Sequence, residues 1–96
     1  MKNPAIYILS NSTNSTIYIG VTSNLIQRIY QHKNHFTDGF TKKYKTNKLV
    51  YFEQFEDMEN ALKREKTLKK WNREWKNELI EKGNPNWEDL WKNIIL

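Results

Sequence analysis

The chain has 96 residues, enough for one small domain that buries roughly 60 to 70% of the surface exposed by its unfolded form. An aromatic content of 14% and a hydrophobic content of 38% exclude a disordered chain, although 28% of the residues are charged. The absence of cysteine excludes disulfides and thiolate metal sites, and no apolar run is long enough to cross a bilayer. We therefore expect one folded domain over residues 1–96, soluble and cytoplasmic.

The net charge of +5 is unevenly distributed along the sequence. Residues 63–82 contain eight Lys or Arg and four Glu. A basic helical tract of this kind suits the phosphate backbone of a nucleic acid. It is equally typical of a solvated helix face in a lysine-rich chain, and this chain has thirteen Lys and three Arg. Charge alone leaves both interpretations open.

Tyrosine alternates with isoleucine in the first two predicted strands, residues 4–9 and 16–20. The alternation places Tyr7 and Tyr18 each on one face of its strand, and a polar loop of Ser, Asn and Thr joins the strands into a hairpin. The two tyrosines are therefore expected to share a face. Because strands favour tyrosine in any position, packing explains this pattern better than function when it is taken alone.

A helix is predicted to follow the hairpin. Ser23 or Asn24 provides its N-cap, and its apolar positions form one stripe up to about Lys33. Arg28 and His32 lie four residues apart on the flank of that stripe, so they are neighbours on the helix surface. The planar guanidinium suits phosphate oxygens, whereas an exposed helix arginine and a surface histidine are the structural alternatives.

Glu65 occupies an unusual position in the second half of the chain. Residues 34–47 predict a loop or short irregular element, residues 49–55 predict a third strand, and residues 58–72 have the apolar period of a helix. Glu65 falls within the apolar stripe of that helix, with a leucine three residues away on either side. A buried carboxylate requires a cation, a metal ion or hydrogen-bond donors, so Glu65 is expected to have a partner.

The remaining elements complete an α+β pattern. A further helix ends at Gly83, with its tryptophans on the core side. Asn84 and Pro85 are predicted to provide the N-cap and the first-turn proline of a short last helix. The order ββαβααα predicts a small three-stranded sheet, mixed or antiparallel, flanked by helices.

Several short motifs occur in a fixed order along the chain. Ala-Ile-Tyr at residues 5–7 is followed by Tyr-Ile-Gly at residues 18–20, and then by residues 20–25, Arg28 and His32. Together with these, residues 49–52, 64–66, 70–71 and 84–87 give the chain a pattern that resembles the GIY-YIG endonuclease superfamily. It is most similar to small stand-alone members related to the catalytic domain of the excision-repair nuclease subunit, with alanine replacing the first glycine of the naming motif.

The resemblance implies roles for individual residues. In that superfamily two motif tyrosines, a helix arginine and a glutamate that binds one divalent metal ion meet in a single site. Carried over to this sequence, Tyr7, Tyr18 and Arg28 are catalytic, and Glu65 binds Mg²⁺ or Mn²⁺. His32 is expected to accept a proton or to hold a tyrosine hydroxyl. The rival interpretation of Glu65 is a buried ion pair with Arg28.

In such a site the surroundings of Tyr7 must favour the loss of its proton. Tyrosine at its ordinary pKa near 10 is only about 0.1% ionised at neutral pH. A catalytic Tyr7 therefore requires nearby positive charge or a group that accepts its proton.

The implied activity is that of a metal-dependent endonuclease that hydrolyses DNA phosphodiester bonds, nicking structured or damaged DNA with little sequence specificity, as in DNA repair. One alternative is a nucleic-acid-binding module with weak or partner-dependent catalysis. Another is a structural adaptor that self-associates through its aromatic C-terminal helix, and the chain is expected to be a monomer or a weak dimer.

Further residues are expected to touch DNA. Phe36 and Phe40 lie in the basic loop region and are candidates for contact with a nucleic acid. A late active-site asparagine corresponds to Asn84 or, by spacing in some relatives, to Asn77. The residues expected to contact phosphates without reading sequence are Lys42, Lys43, Lys69, Lys70 and Arg73.

Overall fold

The computed structural model describes residues 3–34 and 39–95. Within these ranges no helix is both long enough and apolar enough to span a membrane. The fold is α+β, as predicted. Its elements in chain order are β1 Ala5–Ser10, β2 Ile17–Thr22, α1 Leu25–Lys33, α2 Phe40–Tyr44, β3 Lys48–Gln54, α3 Met58–Lys70, α4 Arg73–Gly83 and α5 Trp91–Ile95.

The strands form a three-stranded antiparallel sheet in the order β2-β1-β3, with β1 at its centre. β1 pairs with β2 along its whole length and places Tyr7 directly opposite Gly20. The pairing of β1 with β3 shifts register between Ile8 and Leu9. Because side chains alternate along a strand, the odd-numbered residues of β1 face one layer of helices and the even-numbered residues face the other.

Helices cover both faces of the sheet, and β1 is buried throughout because it contributes to both cores. The α3–α4 core consists of Ile6, Ile8, Ile19, Val50, Ala61, Leu68, Ile80 and Trp87. The α1–α5 core consists of Ala5, Tyr7, Leu9, Leu25, Ile29, Leu49 and Ile94. A tyrosine thus occupies a position in the second core that an aliphatic residue would normally fill, which singles it out for a polar role.

Side-chain caps start three of the helices. Asn24, Asp57 and Asn72 each accept a hydrogen bond from the backbone N–H three residues further on. Such caps satisfy donors that the first turn of a helix leaves without partners. The predicted cap at Asn24 is therefore confirmed, and it fixes the start of the helix that carries Arg28 and His32.

A one-turn helix, α2, occupies part of the segment predicted as a loop or irregular element. It begins at Phe40 and ends at Tyr44, and Lys45 then adopts a left-handed conformation with φ 55°. The observed element order is therefore ββααβααα.

The prediction that Asn84 and Pro85 start the last helix is wrong, because α5 begins at Trp91. Trp87 has φ 52°, which is incompatible with a continuous right-handed helix. Its ring packs in the α3–α4 core, whereas Ile94 packs in the α1–α5 core. The apolar residues that suggested one helix stripe are therefore divided between the two faces of the sheet.

The prediction that Trp71 and Trp75 belong to one helix with both rings in the core is also wrong, because Trp71 caps the end of α3 and Trp75 on α4 is 53% exposed. The inner face of α4 consists of the buried Ile80 and the half-buried Arg73, Lys76, Asn77 and Leu79. Long polar side chains can cover a core with their apolar stems, and periodicity of apolar residues does not reveal this. Trp75 consequently lies on the outer side of α4.

Candidate active site

Gly20 allows the ring of Tyr7 to lie against β2. Tyr7 is 1% exposed, and a Cβ atom at Gly20 would lie 2.4 Å from both Cζ and the hydroxyl oxygen of Tyr7. Real Cβ atoms do not approach other atoms so closely, so only glycine fits opposite this tyrosine. The last position of the Tyr-Ile-Gly motif thus has a steric function.

Tyr18 lies on the same face of the hairpin as Tyr7. It stands opposite Leu9, diagonal to Tyr7, and the two tyrosine rings have centroids 6.3 Å apart. The predicted sharing of a face is confirmed. It follows from the antiparallel register, which places odd positions of β1 opposite even positions of β2.

The helix α1 brings His32 to the tyrosine pair. The side chain is buried, and its Nε2 lies 3.1 Å from the Tyr7 hydroxyl oxygen. The imidazole centroid is 5.6 Å from the ring of Tyr7 and 6.0 Å from that of Tyr18. The alternative of a surface histidine is therefore wrong, whereas the expected hold on a tyrosine hydroxyl is observed.

Arg28 lies one turn before His32 on α1 and is exposed. Its positive charge lowers the pKa values of both Tyr7 and His32. The guanidinium therefore stands at the solvent side of the cluster, close enough to act on both of its hydrogen-bonded members. An exposed guanidinium in this position is accessible to an anion, and it is more weakly hydrated than an ammonium group.

Glu65 reaches the same cluster from α3. Its side chain is 14% exposed, so the carboxylate faces the protein as predicted. The predicted apolar stripe is wrong for Leu62, which is 40% exposed. Its negative charge contributes to raising the pKa of Tyr7. In the described chain its ion-pair partner is Lys69 at 3.3 Å, one turn along the helix, and not the rival Arg28.

Tyr7 is a neutral phenol at physiological pH. Burial raises its pKa well above the ordinary value of 10.0, and the charges on Tyr18 and Glu65 act in the same direction. Only Arg28 opposes them. Ionisation of Tyr7 therefore requires more positive charge than the side chains provide, or transfer of its proton to a neighbour.

His32 is a suitable acceptor for that proton. Burial, assisted by the charge of Arg28, lowers its pKa from 6.5 to about 4, so the imidazole is neutral at pH 7. In one of its two neutral tautomers, Nε2 accepts the hydrogen bond that the Tyr7 hydroxyl donates. Nδ1 then carries the hydrogen.

Thr41 supports this tautomer and was missed by the sequence analysis. Its side-chain oxygen lies 3.1 Å from Nδ1 of His32, and the residue is 6% exposed. A hydroxyl at that distance can accept a hydrogen bond from Nδ1–H, which leaves Nε2 free to accept from Tyr7. Nothing in a polar segment predicted as a loop distinguishes Thr41 from the threonines around it.

The residues present fit a hard divalent ion with few protein ligands. Among the described residues no three His, Cys, Asp or Glu side chains form a metal-binding group. Glu65 therefore stands as a single carboxylate beside the cluster, with an i,i+4 lysine as its competing partner. An ion such as Mg²⁺ is commonly held by one or two carboxylates while water and phosphate oxygens complete its shell.

The residues expected to contact DNA occupy different places. Lys42 and Lys43 are exposed on α2, next to Thr41, and Lys70 is exposed at the end of α3. Lys69 is exposed and pairs with Glu65. Phe40 is 43% exposed and stacks on Tyr18, with centroids 5.9 Å apart. Phe36 lies outside the described residues.

Arg73 has a structural role, and its expected phosphate contact stays a prediction. Its guanidinium donates to the backbone oxygens of Asn14 and Ser15 and to the side chain of Asn77. These bonds tie α4 to the loop of the hairpin, and they also engage Asn77.

Asn84 is likewise engaged in holding the fold together. The residue is 6% exposed, and its amide nitrogen donates to the backbone oxygens of Val50 and Glu88 while its oxygen accepts from the Glu88 N–H. These bonds fix the segment between α4 and α5 against β3. The structure does not bring this amide into hydrogen-bond contact with the tyrosines, Arg28 or Glu65.

Comparisons with known proteins identify the family of the chain. The GIY-YIG catalytic domain model matches residues 3–78. The chain is similar to the UPF0213 protein of Clostridium perfringens, with 38% identity over 91 residues that cover 95% of this chain and 97% of that protein. The UPF0213 protein of Syntrophus aciditrophicus shares 36% identity over 86 residues, 88% of this chain and 97% of that protein. A solution NMR structure of the UPF0213 protein from Bacillus halodurans matches with a TM-score of 0.58 and 25% identity, covering 91% of this chain and 92% of that one. The chain belongs to the GIY-YIG catalytic domain family of nucleases.

Proposed function

We propose that this chain is a divalent-metal-dependent endonuclease that hydrolyses DNA phosphodiester bonds, nicking structured or damaged DNA with little sequence specificity. The observation that supports it is the convergence of one set of groups on the Tyr7 hydroxyl. That hydroxyl is hydrogen-bonded to a neutral imidazole and lies within the electrostatic reach of a second tyrosine, a cation and a carboxylate. The groups are Tyr18, Arg28, His32 and Glu65.

Tyr7 and His32 together provide a route for a proton. Water that attacks phosphorus must lose a proton, and the Tyr7 oxygen can take it while passing its own hydrogen to Nε2 of His32. This transfer avoids a free phenolate, which burial of Tyr7 disfavours. The neutral state of His32 at pH 7 makes it an acceptor from the start.

Arg28 is placed to bind the reacting phosphate. Its guanidinium is exposed and presents several N–H donors to phosphoryl oxygens, on which negative charge increases during attack by water. The exposed Lys42 and Lys43 lie on the helix whose Thr41 contacts His32, so they can hold neighbouring phosphates. None of these contacts reads a base edge, which is consistent with low sequence specificity.

Glu65 is the residue that would hold the metal ion. When bound, the ion would act as a Lewis acid at the leaving oxygen and offset the negative charge beside Tyr7. Replacement of Lys69 by the ion as the partner of Glu65 should cost little free energy, because an i,i+4 ion pair with an exposed lysine is weak.

The activity is tested by nicking of supercoiled and branched DNA with Mg²⁺ or Mn²⁺, comparing the parent with Glu65→Gln. Glu59→Gln is a matched control, because Glu59 lies on the same helix and also pairs with a lysine four residues on. We expect Glu65→Gln to lose at least 100-fold in cleavage with a melting temperature close to that of the parent. Glu59→Gln should cleave like the parent.

Equal cleavage by the parent and Glu65→Gln would contradict the proposed role of the carboxylate. Salt-dependent DNA binding by a parent that never cleaves would favour the binding module instead. The adaptor alternative has little support in the fold, because Ile94 of α5 packs in the α1–α5 core and Trp91 packs against it.

A further inference from the structure

The short helix α2 presents two large aromatic side chains to solvent. Phe40 is 43% exposed and Tyr44 is 44% exposed, and their ring centroids are 4.6 Å apart. Together they form what we call the α2 platform. Large apolar rings left exposed side by side are unusual on a small domain and commonly mark a contact surface.

The α2 platform is continuous with the tyrosine pair. The ring of Phe40 stacks on that of Tyr18 with an interplanar angle of 30°, and Tyr18 in turn lies 6.3 Å from Tyr7. Between the two platform residues, Thr41 is buried and bonded to His32. The helix is thus attached to the cluster through Thr41 and Phe40, while the rings of Phe40 and Tyr44 remain partly exposed.

Cations border the α2 platform. Lys42, Lys43 and Lys45 are exposed, and Nζ of Lys43 lies 5.4 Å from the centre of the Tyr44 ring. Aromatic faces beside lysines are the combination with which proteins bind single-stranded nucleic acids, because bases stack on the rings while the cations hold the phosphates.

We propose that the α2 platform stacks an unpaired nucleobase of the nucleotide next to the phosphate held at Arg28. This inference rests on the proposed function and narrows its substrate to DNA with a single-stranded segment at the cleaved bond. In a duplex both faces of each base are already covered by neighbouring bases, so a paired base cannot use the platform. An unpaired base can, and it gains the stacking that it otherwise lacks.

Trp75 provides a matched control on the same protein. It is 53% exposed, and within the described part of the chain its ring contact is with Trp71, not with the tyrosine cluster. If exposed aromatic side chains in general strengthen DNA binding, substitution of Trp75 will weaken it as well. If only the α2 platform does so, substitution of Trp75 will leave binding unchanged.

The test compares two fluorescent strands of equal length, oligo-dT and a strand of abasic sites, bound without metal ion at one fixed salt concentration. The abasic strand keeps the phosphates but has no bases to stack. We expect Phe40→Leu with Tyr44→Leu to weaken oligo-dT binding about tenfold or more and to leave abasic binding unchanged. Trp75→Leu should change neither. In the parent, a 2-aminopurine base beside the bound phosphate should be quenched.

Equal losses on both strands, or no loss on either, would overturn the platform. If the double variant does not fold, an unquenched 2-aminopurine in the parent complex overturns it alone. The proposed nuclease activity is tested separately. If the double variant loses binding to oligo-dT alone and the parent never nicks DNA, the platform is supported and the nuclease activity is contradicted.

Discussion

Two parts of the sheet each bring together a tyrosine, an arginine and a glutamate, but in only one of them do the charged groups bind each other. Beside β3, Arg64 donates to both carboxylate oxygens of Glu53 at 3.0 Å, and the Tyr51 hydroxyl donates to the same carboxylate. This Tyr51 cluster is closed, because each of its charges is satisfied by a partner within the cluster.

The Tyr7 cluster has the same three residue types in a different arrangement. Among the described residues no ion pair joins Arg28 to Glu65; the arginine is exposed and the carboxylate pairs with Lys69. Burial raises the pKa of the tyrosine in both clusters. The difference teaches that the composition of a cluster does not distinguish a structural network from a candidate active site, whereas the pairing of its charges does.

The largest expected effects come from substituting the arginine of each cluster with alanine. Arg28→Ala should reduce DNA cleavage by about 100-fold or more, since it removes the cation that faces the phosphate, and should leave stability nearly unchanged. Arg64→Ala should do the reverse, lowering the free energy of unfolding by about 1 to 2 kcal/mol, because a partly buried Glu53 loses its bidentate donor. Cleavage rates and urea unfolding of both variants measure this.

Arg28→Lys and Arg64→Lys serve as controls for charge without the planar guanidinium. Arg28→Lys should recover only part of the cleavage and Arg64→Lys only part of the unfolding free energy, because one ammonium group cannot make two parallel hydrogen bonds. If Arg64→Ala abolished cleavage while the protein remained folded, the contrast between a closed and an open cluster would be wrong.

The sequence was sufficient for the parts of the site that depend on local periodicity. Alternation along the two strands predicts that Tyr7 and Tyr18 share a face, and the cap at Asn24 sets the helix that carries His32. The apolar period of α3 identifies Glu65 as a carboxylate facing inward. Each of these features is decided within one or two elements, so the residue pattern contains it.

Features decided by contacts between distant segments could not be predicted in this way. Thr41 meets His32 only because α2 folds back on α1, and Arg73 reaches the hairpin loop only through the packing of α4. Trp87 and Ile94 look like one helix face in the sequence but enter opposite cores. The exposure of Trp75 follows from polar side chains that bury their stems on the inner side of α4.

An intermediate effect is expected when the contact between Tyr7 and β2 is disturbed. Gly20→Ala places a methyl group against the Tyr7 phenol, and the surrounding core leaves the ring little room to move. We expect a loss of about 1 to 3 kcal/mol in unfolding free energy, with a fall in cleavage as the hydroxyl leaves His32. The Tyr51 cluster should keep its ion pair, so the substitution should disturb the Tyr7 cluster alone.

Gly83→Ala is the matched control for this glycine substitution. A Cβ atom at Gly83 meets nothing within 4 Å, and Gly83 lies within the last turn of α4 without a positive φ, so alanine is favoured over glycine there. Its stability should be equal to or slightly greater than that of the parent. Loss of stability in both variants, measured by urea unfolding, would show that the contact with Tyr7 is not the cause.

The smallest expected effect concerns the orientation of His32. Thr41→Val removes the acceptor for Nδ1–H while keeping the shape of the side chain, and it should lower kcat about fivefold with little change in KM; Thr41→Ser should restore the rate.

Because the His32 pKa is lowered to about 4, cleavage should rise with pH through that value and be level by pH 6.5. The folded pKa lies below the unfolded one, so the contribution of His32 to stability is complete above about pH 6.5 and is lost as the pH falls towards 4. Tyr7, Tyr18 and Arg28 lie beside the imidazole in parent and variant alike. An acid limb near pH 6.5 in the parent, or an unchanged kcat in Thr41→Val, would mean that His32 is not the proton acceptor that separates the open cluster from the closed one.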